Sequence, residues 1–254
     1  MSDTNSTGSD EVNYPSYLAL DELLRLQRPL SQPEHPDELL FIVVHQASEL
    51  WFKVLLHEFD AFIGCLAAFD PPGALQSIKR INGLVNIVTN QLTALDTLPP
   101  QRFAQFRGYL GQSSGSQSAQ FRAIEAVSGL RDEHFMQTIQ AHGEIPATVK
   151  RALARPTLQA LFQAMLDQHG VSMAQLYSET RHTMLLLLAE ELLEYEQGFA
   201  RWRFLHVQLV ERIIGPGTTG TGGTLGAKYL AKTVSQRFFP DLWAVRSTMY
   251  GASD

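Results

Sequence analysis

"LLEYEQGFARWRFLHVQLVERII", residues 192–214, decides the fold. Leu192, Tyr195, Phe199, Trp202, His206, Val210 and Ile213 step by three or four residues. That spacing lines side chains along one face of an α-helix. The pattern extends upstream to about residue 171, so one long helix is expected over 171–214. It breaks at Gly215-Pro216, and "GTTGTGGTLG" (217–226) follows.

The same period recurs along the chain. Pro36 precedes Asp37 and Glu38, which suits a helix start: proline in the first turn, acids at the positive end. Leu39, Ile42, Val43, Leu50, Val54 and Phe62 carry the pattern to about residue 68, where "DPPG" (70–73) ends it. Leu75, Ile78, Ile81, Val85, Val88, Leu92 and Leu95 form a second pattern, closed by "LPP" (98–100). A short helix to Tyr109 follows, then "LGQSSGSQS" (110–118) as a loop or helix entry. Shorter pieces fill 119–169, with breaks near Gly129, "GEIP" (143–146) and Pro156. Segments near 224–236 and 240–249 close the chain. No stretch alternates apolar and polar residues over strand length between hairpin turns. The expectation is one all-α domain over 14–254, a bundle of long helices with shorter helices at one end. The polar opening, residues 1–13, reads as a disordered tail.

Bulk properties narrow the function. The 254 residues are 44% hydrophobic, enough for a sizeable core, and the net charge of −6 predicts no basic surface for nucleic acid. Cys65 is the single cysteine, which excludes an internal disulfide and a thiolate zinc site and fits a reducing compartment. The longest uninterrupted apolar run, "MLLLLA" (184–189), meets Glu190 and Glu191 at once, so no membrane span is expected. The start of the chain lacks a signal peptide's apolar stretch, and the default is a soluble cytoplasmic protein.

The Gly/Thr loop is not a phosphate cradle. Such a loop needs G-x-x-x-x-G-K-[ST] or G-x-G-x-x-G between a strand and a helix. Here a helix precedes it, and Lys228 follows Ala227. Regular structure resumes with "LGAKYLAKTV" (225–234), which argues against a linker. A folded loop remains, its glycines allowing close backbone approach and Thr218, Thr219, Thr221 and Thr224 offering hydroxyls.

Of the eight histidines, His35, His134, His142 and His169 fall near helix ends or loops, and His57 and His182 sit among mixed helical neighbours. His206 lies within the apolar stripe. That placement suits a neutral core histidine bonded to a carbonyl, and equally an axial haem ligand. His45, one turn after Phe41, carries the same two readings. Zinc is not favoured at either, since there is no HExxH, no i,i+4 histidine pair and no cysteine set. Arg107, near a helix end among aromatics, suits a surface arginine covering apolar neighbours or a planar fork clamping a carboxylate.

Taken together, six stretches resemble the tryptophan 2,3-dioxygenase family of histidine-ligated, haem-dependent aromatic oxygenases. They are "YPSYLALDELLRLQRPLS" (14–31), "DELLFIVVHQASELWFKVLLHEF" (37–59), "LPPQRFAQFRGYLGQSSGSQSAQFRAIE" (98–125), "FARWRFLHVQLVERIIG" (199–215), "GTGGTLGAKYL" (220–230) and "FFPDLW" (238–243). Their order matches over about two-thirds of the chain. The resemblance implies a haem b site between helices with His206 as the proximal iron ligand and dioxygen as co-substrate. It implies that His45 takes the substrate's indole N–H, with Phe41 beside it. Arg107 corresponds to the partner of the amino acid's carboxylate, Phe103 and Leu110 to pocket walls, and Ser114 and Gly115 to a loop over the haem edge. Thr221 corresponds to a threonine on the substrate's ammonium and carboxylate. Tyr14 and Tyr17 correspond to tyrosines that reach a neighbouring subunit's site in a homotetramer, a dimer of dimers. The implied reaction cleaves the indole C2–C3 bond of L-tryptophan to N-formylkynurenine.

Three departures stand out. The family usually has "SGFQS" where this chain has "SGSQS", so Ser116 replaces a phenylalanine. The loop before Thr221 is altered in length, and residues 130–185 are short and match poorly. They leave open a haem monooxygenase of tryptophan or a β-substituted tryptophan. A non-catalytic haem sensor is the further alternative; it has no need of Phe41, His45, Arg107 and Thr221 together.

Overall fold

In the computed structural model the described residues are 12–131, 133–140, 143–218, 227–249 and 251. They are mainly helical, with no strand among them. Two single-turn helices, α1 (Tyr14–Tyr17) and α2 (Leu20–Leu23), lead into the 30-residue α3 (Glu38–Ala67) and the 21-residue α4 (Pro71–Gln91). A 3-10 segment (Leu92–Thr97) then joins α5 (Pro100–Arg107). Next come α6 (Ala119–Ser128), α7 (Glu133–Gln140), α8 (Ala147–Leu153), α9 (Leu158–Gln168) and α10 (Met173–Ser178). The 32-residue α11 (Thr183–Ile214), α12 (Ala227–Thr233) and α13 (Pro240–Met249) complete the order.

The turn between α3 and α4 is coded locally. Asp70 accepts a hydrogen bond from Gly73 N at 3.2 Å, and the prolines at 71 and 72 occupy the first turn of α4, where a missing N–H costs nothing. The two helices therefore run antiparallel, with Arg80 meeting Glu58 at 3.3 Å and Gln91 meeting Ser48 at 2.5 Å. α11 runs parallel to α4: Asn82 donates to the Glu191 carbonyl at 3.1 Å, and Val85 packs on Gly198. A methyl group on Gly198 would lie 2.9 Å from Val85 Cγ1, so glycine permits the close approach. This register brings the N-terminal half of α3 and the C-terminal half of α11 to the same end of the bundle. His45 and His206 sit there.

The main core runs along α3, α4, α6, α9 and α11, with Phe62 and Leu66 wholly buried. Burial of each such side chain contributes about 1.5–3 kcal/mol. A smaller cluster caps the His45 end: Val44, Leu92, Leu95, Leu98, Phe103, Phe106 and Leu209. At the other side, the buried Glu196 carboxylate accepts from Phe238 N at 2.6 Å, Phe239 N at 2.8 Å and Trp243 Nε1 at 2.6 Å, with Arg237 at 3.2 Å. That one side chain fastens the "FFPDLW" segment to α11.

One sequence expectation needs correction. The pattern over 171–214 is divided. Glu179 is extended (φ −116°, ψ 127°), and a 3-10 turn, Thr180–His182, separates α10 from α11. Apolar spacing survives that break because both pieces pack on the same core, so periodicity alone does not register it. His182 accordingly lies in the turn. α3 is long and apolar enough to cross a membrane by length and composition, a test that the core helix of a bundle also passes. No single run betrays this, because its apolar residues lie on two faces. One face meets the core, while Leu39, Val43, Leu50 and Val54 are exposed.

Candidate active site

His45 is oriented by its own helix. Its Nδ1 lies 2.7 Å from the Phe41 carbonyl oxygen, which only accepts, so Nδ1 carries the proton and Nε2 the lone pair. The Phe41 and His45 rings are 4.2 Å apart. Phe41 in turn packs on Phe103 at 5.5 Å and Phe106 at 5.8 Å, with Leu110 in the same cluster. Water reaches the His45 ring, yet burial lowers its pKa below the ordinary histidine value, outweighing the Phe41 carbonyl and Glu49 carboxylate that raise it.

His206 projects from α11 at the same end. Burial, reinforced by repulsion from His45, holds its pKa down to about 4. Leu205, next to His206 on α11, and Leu209 pack in the same cluster as Phe41 and Phe103, which places the two histidines at one end of the bundle. The Trp202 ring lies 5.1 Å from His206 and 4.9 Å from Phe121. No hydrogen bond to a described residue occupies the His206 ring. A neutral imidazole with free nitrogen lone-pair capacity is what an axial haem ligand requires. Among the described residues no three His, Cys, Asp or Glu side chains converge as an ion cage. The residues present fit haem.

α5 is fixed against the start of α3 by a bidentate pair between Arg102 and Asp37, with Arg102 Nη2 to Asp37 Oδ1 at 2.8 Å. That guanidinium holds the Asp37 carboxyl below its usual pKa. His35 adds a contact to Gln105 at 3.0 Å, and the buried Glu38 binds Leu30 N and Ser31 N at 2.8 and 3.0 Å. The clamped helix presents Phe103 to Phe41 and carries the half-buried Arg107 in its last turn. Arg107 therefore lies one turn beyond the pocket aromatics.

The "SGSQS" stretch is a capped turn. Ser114 and Gln117 form a reciprocal capping box, the Ser114 and Ser116 hydroxyls are 3.0 Å apart, and Ser118 caps α6. A Cβ at Gly115 would meet no protein atom within 4 Å, so this glycine answers no packing need of the described chain. Gln120, just beyond, donates to both the carbonyl and carboxylate of Glu49 at 2.8 Å, joining the turn to the helix that bears His45.

Of the residues expected at the site, Phe41, His45, Phe103, Leu110 and His206 come together at one end of the bundle, with Arg107 adjoining. Ser114 and Gly115 form the turn that enters α6. Tyr14 and Tyr17 are 72% and 77% exposed and stand outside this cluster. Thr221 lies outside the described residues. Sequence reading placed Trp202 one turn before His206 on the stripe but gave it no part in the site. It missed the Asp37–Arg102 and Glu49–Gln120 ties, which span 65 and 71 residues and leave no local trace.

A sequence profile of the tryptophan 2,3-dioxygenase family matches residues 2–168 and 159–249. A tryptophan 2,3-dioxygenase of Caulobacter vibrioides is 38% identical over 95% of this chain and 100% of its own length. One from Herpetosiphon aurantiacus is 40% identical over 95% and 100%, and one from Kineococcus radiotolerans 39% over 93% and 91%. The likeness thus extends through the short middle region that motif matching left out. The chain belongs to the tryptophan 2,3-dioxygenase family.

Proposed function

We propose that this protein is a haem b-dependent enzyme that uses dioxygen to open the indole C2–C3 bond of L-tryptophan, yielding N-formylkynurenine at the entry to the kynurenine pathway. The observation that carries this reading is the meeting of His45, Phe41 and Phe103 with His206 at one end of the bundle.

Haem, when bound, supplies dioxygen activation at iron. The chain's own residues do the rest. His206, neutral because it is buried, offers a nitrogen lone pair to the metal. His45 spends Nδ1–H on Phe41 and keeps Nε2 to accept the indole N–H. Phe41, Phe103 and Leu110 give the ring an apolar wall. Arg107 pairs with the carboxylate, and Thr221 serves the ammonium end. Two fixed ends leave the indole one orientation, which is how positioning lowers the barrier. Ser114 and Gly115 let the backbone approach the cofactor edge.

The exposed apolar face of α3, with Leu24, Leu26 and Leu30 beside it, suits contact with further copies in a cytoplasmic homotetramer, where Tyr14 and Tyr17 serve a neighbour's site. One observation favours a second reading. The Ser114–Ser116 hydroxyl pair stands where the family has an aromatic ring, which gives volume for a substituted tryptophan and for monooxygenation. Product mass from 18O-labelled dioxygen separates the two: the proposed reaction incorporates both atoms, the alternative one. A purified chain with no haem absorption would reject both.

A further inference from the structure

Between α6 and α11 lies an ion cluster that the proposed chemistry does not use. Glu125 Oε2 is 2.8 Å from Arg122 Nη1, and Glu125 Oε1 is 3.1 Å from Arg203 Nη2. The side chains are 4%, 14% and 3% exposed respectively. Arg203 Nη1 also donates to the Thr233 carbonyl at 3.2 Å, and its guanidinium lies 5.2 Å from the Phe238 ring centre. Two guanidinium groups thus share one carboxylate.

Compensation is incomplete in hydrogen bonding as well. Six buried side-chain polar atoms lack a hydrogen bond among the described residues. Three of them, Arg122 Nε, Glu125 Oε2 and Arg203 Nε, belong to this cluster, Glu125 Oε2 keeping its ion contact with Arg122. A fourth is the neighbouring Trp202 Nε1. Burying an uncompensated charge is costly, so a fold retaining one for packing alone is a poor bargain.

The cluster adjoins His206 by two routes. Arg203 precedes it by three residues on α11, nearly one turn. Arg122 lies 4.8 Å over Phe121, whose ring packs at a tilt on Trp202, which packs at a tilt on His206.

We infer that Arg122, Glu125 and Arg203 form a buried net-positive element that biases iron held by His206 toward the ferrous state. The inference rests on the haem reading above. Ferric haem carries one more positive charge than ferrous, so a nearby fixed positive charge in a low-dielectric interior penalises the ferric form more. The ferrous form is the one that binds dioxygen, so the cluster acts as a positioning charge for the reaction without touching substrate.

The test is a spectroelectrochemical titration of haem-loaded protein. Glu125→Gln raises the net buried charge and should move the midpoint up. Arg122→Gln lowers the charge and should move it down. At the wild-type midpoint, each should change the ferrous-to-ferric ratio by roughly fivefold, in opposite directions. Arg122→Lys and Arg203→Lys keep the charge and should stay near wild type. Loosened packing has no reason to produce opposite signs. Equal midpoints in Glu125→Gln and Arg122→Gln, or shifts in one direction for both, overturn the inference. If Glu125→Gln does not fold, the contrast between Arg122→Gln and Arg122→Lys decides alone. A chain that takes up no haem is recognised before any titration, and removes the haem reading together with the inference.

Discussion

The Nδ1 of His45 hydrogen-bonds the carbonyl oxygen of Phe41 one turn earlier, at 2.7 Å, and the two rings lie 4.2 Å apart. This pair fixes both the direction and the tautomer of the imidazole. It makes Nε2 an acceptor as long as the ring stays neutral, and burial keeps it neutral to lower pH than an ordinary histidine.

The pH dependence follows in sign. Protonation of His45 abolishes the acceptor, so activity is lost as pH falls through its lowered pKa, below the ordinary histidine value of about 6.5. The acid limb of kcat/KM should therefore begin under that value. His45→Ala should lose roughly fivefold in kcat/KM, using ~1 kcal/mol for the hydrogen bond, and should lack that limb. A variant still showing the limb assigns it to another group.

His206 is the sole iron ligand in this account. His206→Ala should weaken haem retention by more than the roughly 10–100-fold that loss of even an outer partner costs. The readout is haem per chain after gel filtration. Stoichiometric haem with an unaltered ferrous spectrum would contradict the assignment.

Glu196 tests the fold without touching the chemistry. Its buried carboxylate binds two backbone N–H groups, Trp243 Nε1 and Arg237. Glu196→Ala strands those donors and should cost about 3–5 kcal/mol in denaturant unfolding. A loss under 1 kcal/mol would mean that water replaces the carboxylate freely.

The helices were readable because period, proline and caps act locally: Asp70 with Pro71 and Pro72 defines a corner whatever surrounds it. Candidate residues were readable as types. Spacing put Phe41 with His45 and Trp202 with His206, but gave no reason for the two pairs to meet. That meeting depends on helix register, set by contacts such as Gln91–Ser48 and Val85–Gly198, whose partners are tens of residues apart. The ion cluster was hidden for the same reason, since only Arg122 and Glu125 share a helix. The break at Glu179–His182 was invisible because both flanks keep their apolar faces on one core.

Arg107 carries the widest gap between a structural and a substrate role. It is half-buried in the last turn of α5, beside the Phe103–Phe106 pair. A surface arginine covering apolar neighbours tolerates alanine within ~0.5 kcal/mol. A planar fork on a substrate carboxylate does not, because truncation leaves that carboxylate desolvated and unpaired. Arg107→Ala should reduce kcat/KM for tryptophan by roughly a hundredfold or more, taking ~3 kcal/mol for the lost charged partner. Arg107→Lys should recover only part, since it restores charge without the fork. Haem content should stay normal, because the Asp37–Arg102 pair that holds α5 is untouched. An indole analogue lacking the carboxylate should lose far less, having never used the clamp. Equal losses on tryptophan and the analogue would make Arg107 a support for the fold or the cofactor, and the carboxylate would need another partner.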